Sequence, residues 1–140
     1  MKNLLTVCIG DSLSLDSSDK EKLKDVAERL RCYLRDQSNI GLFCAHSIVA
    51  EQAASIICNV FDISFQKSNS LNSNDSSTLH AVVKKYRERY STIIILVNGD
   101  QSIFPSHFLY NEYGINKLSR RLNIGEFCIA DVIGKTLNIF

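Results

Sequence analysis

No apolar run in this 140-residue chain approaches the roughly 18 residues that a membrane helix needs. The run Leu4–Ile9 is also too short for the hydrophobic part of a signal peptide and has only Lys2 before it. Neither a membrane span nor an export signal is expected. There is no surplus of charge: 16 lysines and arginines stand against 15 acidic residues, too even a balance to steer the protein toward nucleic acid. One basic cluster, Lys84, Lys85, Arg87 and Arg89, falls in the last turns of an expected helix, where cations meet the negative end of the dipole. The five cysteines, Cys8, Cys32, Cys44, Cys58 and Cys128, contain no Cys-x-x-Cys pair. Their wide spacing and odd number argue against a zinc site and a disulfide framework, and fit a reducing cytoplasm. Neither a metal nor a cofactor is expected.

What is present has the composition of a single folded domain over residues 1–140, with 45% hydrophobic and 22% charged residues. Leu4–Ile9, closed by Gly10-Asp11-Ser12, has the pattern of a buried strand feeding a loop. Ser18 and Glu21 form a capping box, so a helix is expected to begin there, with Leu23, Val26, Ala27, Leu30 and Leu34 at helical spacing. Ile40–Ala45 is a second buried strand, and Ile48–Val60 a second helix, apolar at Val49, Ala53, Ile56 and Val60. Lys67–Ser77, rich in serine and asparagine, reads as a surface loop. Leu79, Val82, Val83, Tyr86 and Tyr90 mark a third helix, and Thr92–Val97 is the strongest strand. Ile103–Tyr113 reads as a short helix started near Pro105. Its aromatics Phe104, Phe108, Tyr110 and Tyr113 are assigned to the core by default, with a lid or an interface as alternatives. Phe127–Val132 and Thr136–Phe140 form a terminal hairpin. This order predicts a three-layer α/β/α sandwich with a largely parallel sheet. Ligands of such sheets gather at the carboxyl ends of the strands, here Ile9–Ser12, Cys44–Ser47 and Val97–Gln101.

Two readings compete at the first of these corners. Gly10-Asp11-Ser12-Leu13-Ser14 resembles the nucleophile block of Gly-Asp-Ser-Leu hydrolases, which would make Ser12 the nucleophile of an esterase. A serine hydroxyl attacks only when a histidine takes its proton and a carboxylate orients that histidine. That resemblance implies a central Gly-x-Asn-Asp block and a later Asp-x-x-His block. Asn98-Gly99-Asp100 has its letters in the wrong order, and His107 carries Phe104 where the aspartate belongs. Aspartate and serine are ordinary turn residues, so the hydrolase is kept as the alternative.

The second resemblance runs along nearly the whole chain. Lys20–Leu30, ending in Ala-Glu-Arg-Leu, is similar to the first helix of the histidine phosphatase (phosphoglycerate mutase-like) superfamily. Phe43–Ala54 is similar to that family's Ser-Ser-Pro-x-x-Arg-Ala-x-Gln-Thr-Ala segment. Cys44 and Ala45 fall on the serines, His46 on the proline and Val49 on the arginine, with Ala50 and Gln52 retained. Asn59–Ile63 resembles the family's link into an extended segment, and Ile94–Asp100 its Leu-Val-Gly-His-Asn corner. In element order and brevity the chain most resembles the small bacterial phosphohistidine phosphatases.

Members of that superfamily attack a phosphoryl group with the histidine of an Arg-His-Gly motif. A second histidine and two arginines hold the transferring oxygens, because developing negative charge needs fixed cationic donors. Carried over residue by residue, Cys8 stands for the first arginine, Ile9 for the nucleophile, Val49 for the second arginine and Gly99 for the second histidine. Each lost donor costs on the order of 3–4 kcal/mol of transition-state stabilisation. The resemblance thus implies a fold without catalytic residues, a binding or regulatory module lacking phosphatase activity. Its pocket is expected to be small and uncharged, lined by Cys8, Ser12, Cys44, His46 and Asn98. The expected partner is a protein or a small anion received by backbone N–H groups, with self-association left open. A substitute nucleophile at Cys8 would need a thiol pKa lowered by a cation or helix N-terminus, and a buried strand cysteine is preferred. His46 is read as a surface or capping residue and His80 as solvated. Asp11, Asp100 and His46 lack metal-ligand spacing.

Overall fold

The computed structural model describes residues 1–72 and 75–140. In chain order it contains β1 (Asn3–Cys8), α1 (Ser17–Leu34), β2 (Ile40–Cys44), α2 (Ile48–Phe61), β3 (Phe65–Lys67), a 3-10 turn (Asn69–Asn72), α3 (Ser76–Tyr86), β4 (Thr92–Val97), α4 (Phe104–Tyr113), β5 (Phe127–Asp131) and β6 (Thr136–Ile139). The strands form one sheet in the order β3-β2-β4-β1-β5-β6. The first four of these run parallel, β5 is antiparallel to β1, and β6 closes a hairpin with β5. Every residue of β4 is buried, as a central strand covered on both faces requires.

Strand alternation divides the core into two layers. Leu5, Val7, Ile9, Ile94 and Leu96 pack with Leu23, Val26 and Leu30 of α1 and with Ala53 and Ile57 of α2. On the opposite face Leu4, Ile93, Ile95 and Val97 pack with Leu79 and Val83 of α3 and with Phe108 of α4. The three-layer sandwich, the largely parallel sheet and the terminal hairpin are those expected from the sequence.

Local details differ from the sequence pattern for physical reasons. α1 is capped by Asp16 rather than Ser18: the Asp19 N–H donates to Asp16 at 2.7 Å, and the Asp16 N–H donates to Asp19 at 3.3 Å. Two carboxylates complete the reciprocal box two residues before the serine can. On α2 the buried line is Ala50, Ala53, Ala54, Ile57 and Cys58, while Val49, Ile56 and Val60 are half-buried. The small side chains take the tightest interface. The polar stretch Lys67–Ser77 holds the end of β3, the 3-10 turn and the start of α3, and its Leu71 is only 2% exposed. Positions 73 and 74 of that stretch lie outside the described residues. Of the α4 aromatics, Phe108 is core, Phe104 and Tyr113 are half-buried, and Tyr110 lies at the surface beneath the Lys117 ammonium, 4.6 Å from its ring.

Gly41 in β2 is where the packing is closest. A Cβ there would meet Tyr90 Cδ2 at 2.8 Å and Phe43 Cε2 at 2.9 Å. Tyr90 is pinned by its hydroxyl, which accepts from Gln66 Nε2 at 2.7 Å, so the ring cannot swing away freely. Gly41→Ala should destabilise the fold by about 1–3 kcal/mol through overpacking. Urea titration measures it, and an unchanged midpoint would contradict the packing described.

Candidate functional site

β1, β2 and β4 end side by side, because Cys8 pairs with Val97 and Phe43 with Ile95. Beyond them the three corners enclose a cavity of about 400 Å³. Gly10, at φ 83°, turns the chain out of β1 in a left-handed conformation that glycine adopts without strain. Ser47 caps α2, its hydroxyl accepting the Ala50 N–H at 3.2 Å, so α2 begins at the cavity wall. Ile9, Val49, Ala50, Leu71, Leu96 and Val97 supply apolar lining, and Asp11, Ser12, His46, Asn72, Asn98 and Gln101 supply polar groups. Several of the polar groups hold one another. The His46 N–H donates to Asn72 Oδ1 at 2.8 Å, the Gln101 N–H to Asn98 Oδ1 at 2.9 Å, and Gln101 Nε2 to the Leu71 carbonyl at 3.1 Å. Among the described lining residues there is one carboxylate and neither a lysine nor an arginine.

Asp11 organises the edge of the cavity. One oxygen accepts the Gly99 N–H at 2.9 Å and the other accepts Arg121 Nη2 at 3.0 Å, while Arg121 Nη1 reaches Asp100 at 2.8 Å. A Cβ at Gly99 would lie 2.5 Å from Arg121 Nη2 and 2.9 Å from the Asp11 carboxylate. The ion pair fills the space beside position 99. Arg121 belongs to the irregular segment between α4 and β5, which further side chains fasten. Ser106 Oγ accepts the Leu118 N–H at 3.1 Å, Ser102 Oγ the Leu122 N–H at 2.9 Å, and Arg29 Nη2 donates to the Gly125 carbonyl at 2.7 Å. Nothing local in the sequence marks Arg121, which lies 110 positions from its Asp11 partner. Leu71 and Asn72 were hidden in the polar stretch, where the lone leucine was the available signal.

Of the residues expected to line the pocket, Ser12, His46 and Asn98 do so, and of the positions that the resemblance sets at catalytic residues, Ile9 and Val49 join them. Cys8 and Cys44 do not line it. Alternation turns Cys8 to the other side of β1, against Leu122 and Cys128, and buries Cys44 in the layer under α1 and α2. Burial pushes both thiols up to about 11, in Cys8 against the opposing pull of the Gly10 N–H, which donates to its sulfur at 3.4 Å. Gly99 sits beside the cavity, covered by the ion pair. Ser12 is exposed, and among the described hydrogen bonds none joins it to His46 or His107, so the hydrolase triad is not assembled. His107 is half-buried on α4, with its pKa lowered by burial and by Lys117 and His80. His80 is not solvated as expected: it is half-buried, its Nε2 lies 3.0 Å from the Phe104 carbonyl, and its ring packs on Phe108. Asp11 and Asp100 do come together, but around a guanidinium. No group of metal ligands forms among the described residues.

No family model matches the sequence, and no curated protein does either. Solved structures do match the fold. The protein histidine phosphatase SixA, complexed with tungstate, superposes with a TM-score of 0.71 over 99% of this chain and 94% of its own, at 10% identity. The alpha-ribazole phosphatase of Shigella flexneri gives 0.67 over 99% and 94% at 12% identity. The phosphoglycerate mutase of Plasmodium falciparum gives 0.64 over 99% and 88% at 14% identity. All three are histidine phosphatase superfamily members, and this chain has their fold. They lend no support to the Gly-Asp-Ser-Leu hydrolase, which is set aside.

Two measurements check the site. Cys32 is the exposed cysteine; Cys8, Cys44 and Cys58 are held near 11 by burial and Cys128 near 12. A disulfide reagent added to native protein should therefore modify one thiol quickly and the remaining four only after unfolding. A second fast equivalent would contradict the burial of these four cysteines. The other measurement concerns Glu126, whose backbone carbonyl accepts the Cys8 N–H. Arg120 grips its carboxylate at 2.9 and 2.6 Å and, helped by the Asn123 N–H, holds its pKa down to about 2 against the contrary effect of burial. The stability this adds is full above the unfolded value of about 4.3 and is lost as pH falls toward 2. Glu126→Gln should lower the melting temperature at neutral pH, and the gap from the parent should narrow as pH drops below about 4. A gap that stays constant through that window would exclude this linkage.

Proposed function

We propose that this chain is a catalytically degenerate protein on the histidine phosphatase fold, a cytoplasmic binding or regulatory module without phosphatase activity. The observation that carries this reading is the cavity lining. Ile9 and Val49, which the sequence resemblance sets at the nucleophile and the second arginine, line the cavity, and no lysine or arginine lines it among the described residues. An isoleucine side chain has no lone pair with which to attack phosphorus. The corner's guanidinium, Arg121, is already shared between Asp11 and Asp100. Apolar side chains also avoid the cost of burying several like charges in an empty pocket, an exchange of activity for stability. Asp11 places a negative charge at the cavity, which favours an uncharged ligand or a protein partner over the small anion. Support for the compartment comes from five unpaired cysteines, which suit reducing conditions. No helix among the described residues is long and apolar enough to cross a membrane.

The test is hydrolysis of p-nitrophenyl phosphate and of a phosphohistidine peptide, where the rate should equal that of buffer alone. Reproducible turnover that disappears in Asp11→Asn or His46→Ala would show that another chemistry has taken over the cavity.

A further inference from the structure

The two edges of the sheet are built differently. β3 forms one, three residues long and ending on Lys67, which pairs with Glu51 at 3.1 Å. A short, charged edge resists pairing with another strand. β6 forms the other edge, and its residues Thr136, Leu137, Asn138 and Ile139 include neither charge nor proline. Hydrogen-bond parity identifies its open groups. Phe127 and Phe140 exchange both main-chain bonds, at 3.1 and 2.8 Å. In the same register Ile129 pairs with Asn138 and Asp131 with Thr136, so those β6 residues turn their backbone groups inward. The N–H and C=O groups of Leu137 and Ile139 therefore face outward, and no described hydrogen bond takes them. Beside this edge Tyr33 and Phe140, 49% and 47% exposed, border a mainly apolar cleft of about 390 Å³ with the exposed Cys32.

We propose that β6 pairs antiparallel with β6 of a second copy about a two-fold axis at Asn138, joining the two six-stranded sheets. That axis sets Leu137 of each copy opposite Ile139 of the other. Both residues face outward, so each pair exchanges both bonds and four intermolecular bonds form. An axis at Leu137 would need Lys135 in its outer pairs, but Lys135 lies in the hairpin turn at φ 54° and is charged. An axis between residues would set inward groups against outward ones. A second copy satisfies the edge with groups this chain already carries, and such a contact closes on itself. The Asn138 side chains of the two copies then face one another on the side that carries Phe140, across the close, non-bonded kind of pair.

Light scattering on the full chain should give twice 15.8 kDa over a concentration series. Ile139→Pro removes an N–H that faces outward, so it should halve the mass while leaving the thermal melt of the fold in place. Asn138→Cys in a Cys32→Ser background should form a disulfide-linked dimer on addition of oxidised glutathione, which takes up the two electrons and two protons released by the thiols. A mass of 15.8 kDa for the parent at every concentration overturns the proposal, as does a dimer that survives Ile139→Pro in folded protein. Should that variant fail to fold, the cysteine pair decides, and absence of the linked dimer overturns it.

Discussion

The parallel pairing of β1 with β4 is the constraint on which every feature of the cavity depends. Cys8 lies opposite Val97, and the Ile9 N–H donates to the Val97 carbonyl at 2.9 Å, so the chain leaves both strands at one height. Gly10 then turns away and brings Asp11 onto the Gly99 N–H. A slip of one residue would exchange the faces of Cys8 and Ile9, placing a thiol at the cavity and an isoleucine against Leu122. The register thus decides which side chain meets a ligand and which is sealed in the core.

Above that register apolar and polar groups share the cavity wall. Ile9 belongs to the same apolar layer as Leu5 and Val7, and half-buried Val49 packs against it. The core therefore continues up to the cavity instead of stopping at a ring of charges. Of the charges that are present, the single guanidinium of Arg121 holds both carboxylates, Asp11 and Asp100. Exposed ion pairs of this kind contribute little to stability, but they fix where a loop lies. At this corner the Asp11–Arg121 clasp joins the loop after β1 to the loop after β4 and to the segment before β5.

Much of this was legible in the residues. The strands Leu4–Ile9 and Thr92–Val97 and the amphipathic helix through Leu23–Leu34 carry strong periodicity, which reports burial directly. The strand ends followed from the order of strands and helices, and with them the location of the cavity and the placing of Ser12, His46 and Asn98, whereas Val49 was singled out by the resemblance alone. Sidedness was less legible. Cys8 and Cys44 fall within the corner segments, yet a strand turns successive side chains to opposite faces. β3 is too short for any period to show. Arg121 escaped because its role arises from a contact with Asp11 across 110 positions, which no local pattern encodes.

The segment between α4 and β5 carries a further consequence. Hydroxyl groups of Ser102 and Ser106 and the guanidinium groups of Arg29 and Arg121 fasten it to the body. A strand held in a ladder opens cooperatively with its neighbours, whereas a segment tied by separate side chains can release one tie at a time. Ile115 and Leu122, each 1% exposed, anchor it to the core between those ties. The Asp11–Arg121 clasp spans 110 positions, fewer than the 128 between Asn3 and Asp131 in the β1–β5 ladder, so the sheet pairing already brings its two ends into range. The cavity edge is thus held by side-chain ties rather than by the strand ladder that builds its floor.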